Sequence, residues 1–329
     1  MNDWSAEVTG TYGLQVESLR KGRGAWILET DGGLKLLKEY KGSVKRLEFE
    51  EQVLAAVNGQ SGLKVDQYQR NLEGGLLSVA EDGTKYIVKD WFSDRECNLK
   101  DMREVLSAVR QTAMLHRLFR NVCHKEEWNL KSMVSPPLYE AMERHNREFK
   151  KARAFIRGKR KKSEFELCVI ASYDEFYQQA AEEKEGMEAL FLKEGKTLME
   201  QYHVCHGDLD QHHLLMGDTY VAVTEFSRMH LGLQVEDLYH FLRKVMEKND
   251  WDRALGRAML EAYERVLPFG NLEKKCLYYL FLYPEKYWKQ MNFYYNANKA
   301  WIPARNAEKL LGLKRQQEAR MRFVNSLVN

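Results

Sequence analysis

Through roughly the first ninety positions, apolar residues occur in short runs bounded by Gly, Asp and Asn; beyond them they recur every three or four residues. The chain therefore predicts a β-rich beginning and a helical remainder. Strands are expected over 16–20 and 25–30, around Lys21-Gly-Arg-Gly24, and Asp31-Gly-Gly33 predicts a tight turn into a third strand over 34–40. Ser43 is a candidate N-cap for a helix running to about Val57. Its partly apolar face is Leu47, Val53, Leu54 and Val57, and Asn58-Gly59 is its stop signal. Two short strands, 76–80 and 86–90, follow across Glu81-Asp-Gly83. Strand, strand, strand, helix, strand, strand is the order of a small five-stranded domain with one packed helix.

After Trp91 helical spacing takes over, with stretches over 102–119, 165–201, 236–248, 253–266 and from Leu272 to the end. All five prolines lie beyond residue 135, and a short β-like patch interrupts the helices near 214–226. The segment 125–137 reads as an irregular connection. The predicted organisation is a β-rich domain over 1–91 and a mainly helical one over 92–329, an α+β protein.

Composition narrows the class. With 329 residues, 30% charged and 44% hydrophobic, the chain can bury a core without staples. It holds no run of about eighteen apolar residues that could span a membrane, and its start shows no basic-then-apolar secretion signal. Five cysteines, scattered and without a CxxC pair, argue against a disulfide framework and suit a reducing compartment. Net charge is only +3, so no specific nucleic-acid partner is expected, but 144–162 carries ten Lys/Arg and one acid. Such a block is either a solvated helix face or linker, or an arm for an anionic ligand. Ten aromatic residues between Tyr278 and Trp301 are either a stacking surface or, given their helical spacing, core.

Chemistry concentrates in one stretch. His203-Val-Cys-His-Gly-Asp-Leu-Asp-Gln-His-His-Leu-Leu215 is followed by Val223-Thr-Glu-Phe-Ser227, which puts Asp208 and Glu225 on neighbouring loops with His206, His212 and His213 nearby. A histidine zinc site, a chance HGD in a structural loop, and a phosphotransfer loop all fit the triplet alone. Element order favours the last. A β-rich lobe precedes the HGD loop, with Lys38 ending its third strand and Glu50 on the following helix, where Glu48 or Glu51 could also serve. A Lys38–Glu50 ion pair would hold the ammonium against nucleotide phosphates.

On these residues the chain resembles the aminoglycoside/choline-kinase-type branch of the protein-kinase-like fold, and within it the spore coat S family of endospore-forming bacteria. Tyr86-Ile-Val-Lys-Asp-Trp-Phe92 is similar to that family's hinge, Met114-Leu-His116 to a helix end, and the basic segment entering Lys161-Lys-Ser-Glu-Phe-Glu166 to its linker. Leu280-Phe-Leu-Tyr-Pro-Glu-Lys-Tyr-Trp-Lys289 with Tyr294-Tyr-Asn-Ala-Asn-Lys-Ala-Trp301 resembles its C-terminal block. The resemblance implies a small β-rich N-lobe with one helix and a large helical C-lobe. It also implies ATP with Mg or Mn as cofactors, Asp208 as the catalytic residue, and Lys38, Glu50, Lys89 and Trp91 beside the nucleotide. Glu225 and His213 would hold the metal, and the expected partners are other spore coat proteins in the coat or the mother-cell cytoplasm. Two positions depart from the family pattern. His213 stands where Asn is usual, and Glu225 where Asp is usual, with Ser227 in place of a second Asp. Only Gly22 and Gly24 remain of a glycine-rich loop. These departures imply an eroded metal site and a structural or nucleotide-binding pseudokinase, the alternative being an active phosphotransferase on a hydroxyl of a small molecule or coat component.

Overall fold

In the computed structural model, residues 3–22, 24–122, 130–296 and 304–328 are described. Arg23, Cys123, the start of the 125–137 connection and the last part of the aromatic block, including Trp301, lie outside them. Packing divides the chain into two compact units. One is formed by Met1–Met133 with Val204–Met229, the other by Val134–His203 with His230–Asn329.

The first unit opens with a helix that the sequence pattern did not announce, α1 (Asp3–Thr11); Thr9 and Gly10 are poor helix formers. Strands β1 (Val16–Gly22), β2 (Ala25–Thr30) and β3 (Gly33–Glu39) form a meander, and α2 (Val44–Val57) follows. Ser43 caps α2 by accepting the Arg46 N–H at 3.3 Å. After β4 (Lys64–Val65) come β5 (Ser78–Val79) and β6 (Lys85–Asp90), which complete an antiparallel sheet in the order β1-β2-β3-β6-β5. The expected five strands and one helix between them are all present.

Strand alternation sorts the side chains of this sheet. Leu28, Leu37 and Val88 pack on one face beneath Val8 and Tyr12; Ala25, Ile27 and Leu36 pack on the other. Leu36 pairs with Lys89 and Lys38 with Ile87, and directly paired residues share a face. Lys38 and Lys89 therefore both project from the Leu36 face.

A second sheet completes the unit. Its members are β4, β7 (Arg95–Glu96), β9 (Leu214–Met216) and β10 (Val221–Val223), ordered β4-β10-β9-β7, with β4 parallel to β10. Helix α3 (Met102–Phe119), capped by Asp101, packs against β10 and α2. Strand β8 (His203–Cys205) leads into the HGD segment.

The second unit is helical: α4 (Leu138–Gly158), α5 (Glu164–Glu200), a short β11 (His230–Gly232), α6 (Val235–Lys248), α7 (Arg253–Glu264), α8 (Asn271–Leu282), α9 (Glu285–Asn296) and α10 (Ala304–Asn325). A capping box between Ser163 and Glu166 starts α5. Asp237 sits buried in the first turn of α6, with Gln234 at the N-cap. The helical stretch from Leu272 is divided at Tyr283-Pro284, because proline cannot donate the helical hydrogen bond. Arg320 of α10 donates to the freed Phe281 and Leu282 carbonyls at 2.7 and 2.6 Å. Burial alone would raise the Glu285 carboxyl, and Arg243, His240 and Lys289 outweigh it, holding it well below its ordinary range. Four residues of the aromatic block, Phe281, Tyr283, Tyr287 and Tyr294, are buried, while Phe293 is exposed. Tyr283, Tyr287 and Tyr294 pack with Phe149, Phe165 and Phe176, and Trp288 stacks on His145 at 3.6 Å. No helix among the described residues is long and apolar enough to cross a membrane. Cys97, Cys168, Cys205 and Cys276 are free thiols.

Glu183 of α5 is fully buried and neither carboxyl oxygen has a hydrogen-bond partner among the described residues. Burial pushes its pKa up to about 9. A carboxyl raised on folding favours the fold most at pH below its ordinary range, and that contribution is lost as pH climbs towards 9. Glu183→Gln should accordingly stabilise the protein by about 3 kcal/mol at pH 7, with little effect near pH 4. Urea unfolding at both pH values checks this, and equal offsets at the two would contradict it.

Candidate functional site

The Leu36 face of the first sheet borders a cavity of about 310 Å³. Leu36 and Ile87 give it an apolar wall, while Lys38, Lys89 and Arg46 supply cations and Glu50 and Glu225 supply acids. The alternation that sends Leu37 and Val88 to the opposite core aims both lysines here.

Each lysine is met by a carboxylate. Lys38 Nζ lies 2.7 Å from Glu225 Oε1, both side chains about one-quarter exposed. Lys89 Nζ lies 2.7 Å from Asp66 Oδ2, both almost wholly buried, and sits 4.4 Å from the centre of the Tyr68 ring. The two pairs are linked, because the Glu225 N–H donates to the same Asp66 Oδ2 at 3.0 Å. That bond pins Glu225 at φ 69°, a left-handed conformation that non-glycine residues rarely adopt. Burial works to raise the Glu225 carboxyl, and the ammonium groups of Lys38 and Lys89 outweigh it, holding it below its ordinary value and ionised at neutral pH.

The expected Lys38–Glu50 pair is not formed. Glu50 spends one oxygen on Arg46 Nε at 2.8 Å and the other on the Tyr68 hydroxyl at 2.6 Å. Arg46, one helical turn before Glu50, also donates to the Ser227 and Met229 carbonyls at 2.9 Å each. Glu50 thus anchors the segment just after Glu225 instead of meeting Lys38. Of its alternatives, Glu48 is exposed and Glu51 pairs with Arg70 at 3.0 Å. Burial and the nearby Glu50 carboxylate keep the Tyr68 phenol protonated. Trp91 packs against Ala25, Ile27 and Leu36, and its N–H donates to Leu34.

The HGD loop is tied to the Glu225 segment by histidines. Buried His206 accepts the Asp208 N–H at Nδ1, 3.2 Å, which leaves Nε2–H to donate to the Thr224 carbonyl at 2.9 Å. His213 donates from Nδ1 to the Asp208 carbonyl at 2.6 Å, and its own carbonyl accepts the Thr224 N–H at 3.0 Å. The Asp208 backbone is thereby held from both sides, while its carboxylate is half exposed, 3.6 Å from Arg228 Nε. His212 turns away to Glu96.

A divalent metal fits these residues poorly. The Glu225 carboxylate is matched to Lys38, and one nitrogen of His213 is spent on the HGD loop. No three His, Cys, Asp or Glu residues among those described gather where a metal ion could be held, whereas Mg²⁺ favours a near-octahedral shell of oxygen ligands. The glycine turn is tight as well, since Gly22 pairs directly with Ala25. A nucleotide fits better, with an apolar wall beside cationic groups.

Sequence reasoning missed Asp66, Tyr68 and Arg46. Asp66 follows a strand of only two residues, too short to leave a pattern. A usable signal was Lys89 itself, because a lysine on an inward-facing strand position demands a buried anion.

No protein-family profile matches the chain. It is similar to spore coat protein S of Bacillus subtilis, at 23% identity over 328 residues, covering 95% of this chain and 89% of that protein. Among solved structures, an aminoglycoside phosphotransferase from Alicyclobacillus acidocaldarius superposes with TM-score 0.85 at 18% identity, over 98% of this chain and 94% of that one. An amicoumacin kinase in complex with AMP-PNP, Ca²⁺ and Ami gives TM-score 0.57 at 13% identity, over 97% and 91%. The fold is kinase-like, with a β-sheet N-lobe and a mostly helical C-lobe, and the resemblance to spore coat protein S extends along nearly the whole chain.

The two lysines should differ in what their removal costs. Lys89→Ala strands the buried Asp66 charge and should destabilise by about 3–5 kcal/mol. Lys38→Ala removes a partly solvated pair and should cost about 1 kcal/mol or less. Urea denaturation of both variants checks the order; equal costs would contradict the burial difference.

Proposed function

We propose that the chain is a spore-coat-associated pseudokinase, a kinase-like fold that binds nucleotide in the cavity above Lys38 and Lys89 without phosphoryl transfer. The observation that carries this is the Lys38–Glu225 ion pair, with the Glu225 backbone pinned by Asp66 and His213 engaged with the HGD loop. Phosphoryl transfer needs a carboxylate that delivers a divalent cation to the phosphates while a lysine holds them. In this chain the two groups that would share that work neutralise each other. Leu36 and Ile87 would flank the base, and Lys38, Lys89 and Arg46 would face the phosphates. Similarity to spore coat protein S supports a place in the coat or in the mother cell that builds it, with other coat proteins as partners.

One observation favours the second reading, an active ATP-dependent phosphotransferase using Mg²⁺ or Mn²⁺. Asp208 is intact, its backbone is held by His206 and His213, and its carboxylate is accessible. In that reading it orients an acceptor hydroxyl.

Two measurements on the purified chain separate the readings. ATP should raise the unfolding midpoint, since a ligand at a hundred times its Kd stabilises by about 2.7 kcal/mol. Phosphate release with Mg²⁺ or Mn²⁺ should remain at one background level in the parent, Asp208→Ala and Glu225→Ala. Metal-dependent release that both substitutions abolish would establish the active reading instead, and no midpoint shift at millimolar ATP would remove nucleotide from either.

A further inference from the structure

The basic segment 144–162 falls on α4 and the turn into α5, within the second unit, and its cations divide into two sets. An inner set is spent on the fold. Arg153 reaches Asp174 at 2.7 Å and lies 4.3 Å from the centre of the Tyr173 ring, Lys159 pairs with the buried Glu166, and Lys162 donates to the Lys159 carbonyl at 2.6 Å. An outer set faces solvent. Arg144, Lys151, Arg157, Arg160 and Lys161 are exposed and form no ion pair among the described residues. Arg147, also exposed, has the equally exposed Glu143 for a partner.

Spacing of three and four residues places Arg144, Arg147 and Lys151 on one stripe of α4, about 10 Å long at the helical rise. Lys150, Arg153 and Arg157, again three and four residues apart, form a second stripe on the side that meets Asp174 of α5. Like charges one turn apart each cost a helix a few tenths of a kcal/mol, and several acids around them are engaged elsewhere. Glu148 accepts from the Trp288 indole, Asp174 belongs to Arg153 and Glu166 to Lys159. The chain keeps a charge arrangement that its own fold does not use, as expected of a functional surface.

We infer that this face of the α4–α5 hairpin docks an acidic segment of another protein. Charge complementarity sets the sign of the partner, and the surroundings favour protein over nucleic acid. Leu167 and Ile170 stand exposed on α5, at 55% and 40%, on the same outer side as Asp174, one turn on from Ile170 and met by Arg153. An apolar edge beside arginines is the composition of a protein interface, whereas single-stranded nucleic acid is gripped by exposed rings. Of the rings on α4, Phe149 and Phe155 pack into the core and Tyr139 packs edge-on against Phe191. The inference is independent of the nucleotide reading, since every residue it uses lies in the second unit.

The test is fluorescence anisotropy of the full chain with three labelled probes: an oligoglutamate peptide, a peptide mixing Glu with Leu, and a short DNA duplex. Both peptides should bind, the mixed one more tightly, and both should weaken as salt rises. Arg144→Glu/Lys151→Glu/Arg157→Glu should weaken peptide binding roughly tenfold or more. Lys193→Glu/Lys196→Glu, which reverses exposed charges on the far half of α5, should leave it unchanged. Leu167→Ser/Ile170→Ser should remove the advantage of the mixed peptide. Circular dichroism verifies folding, and should the triple Glu variant unfold, the corresponding triple Ala variant, made of strong helix formers, takes its place. Absence of peptide binding, equal losses in the Lys193/Lys196 control, or tighter binding of DNA than of either peptide would overturn the inference.

Discussion

Asp66 is the carboxylate on which the first unit depends. One oxygen receives both the Lys89 ammonium and the Glu225 amide, so a strand of the first sheet and the end of β10 in the second are fixed to one atom. Burial of such a pair is costly unless its geometry is good, and the constraint it imposes is correspondingly rigid. From it follow the left-handed backbone at Glu225, the direction of the Glu225 side chain, and its meeting with Lys38. Glu50 and Arg46 secure the next few residues through the Ser227 and Met229 carbonyls. The HGD loop is bound to the same place by His206, which joins Asp208 to Thr224.

A kinase-like site with this wiring behaves as a closed electrostatic circuit. In a phosphotransferase the lysine and the metal-binding carboxylate face the same phosphates. Here the extra methylene of Glu225 extends the carboxylate of a pinned backbone, and the carboxylate rests on Lys38. His213 engages the Asp208 carbonyl and so holds the HGD loop. The cavity offers an apolar wall and cations, while the oxygen shell that a divalent ion demands is not assembled from the described residues.

Much of this was legible in the sequence where local rules govern. The meander, the Ser43 cap, the Lys38 position and helix α3 follow from turn chemistry and periodicity. The aromatic block could be read as core because its spacing is helical, and Tyr283, Tyr287 and Tyr294 are buried. What escaped were choices among competing partners. An acid at position 50 is visible in the sequence; that Arg46 and Tyr68 would claim it is not, because Tyr68 arrives from a later loop. Asp66 lies after a strand too short to show alternation, and nothing local marks Arg320 of α10 as the donor to the carbonyls freed before Pro284. Nor does linear order reveal that 204–229 packs with the N-terminal unit.

The central claim is that the Glu225 carboxylate belongs to Lys38 and not to a metal. Calorimetric titration with ATP, in EDTA and in excess Mg²⁺, measures this most directly. The account predicts closely similar affinities in the two conditions for the parent, and a Mg²⁺-dependent gain only after Glu225→Asp combined with His213→Asn. A parent chain that binds Mg²⁺-ATP roughly tenfold or more tightly than free ATP, about 1.4 kcal/mol, would contradict it.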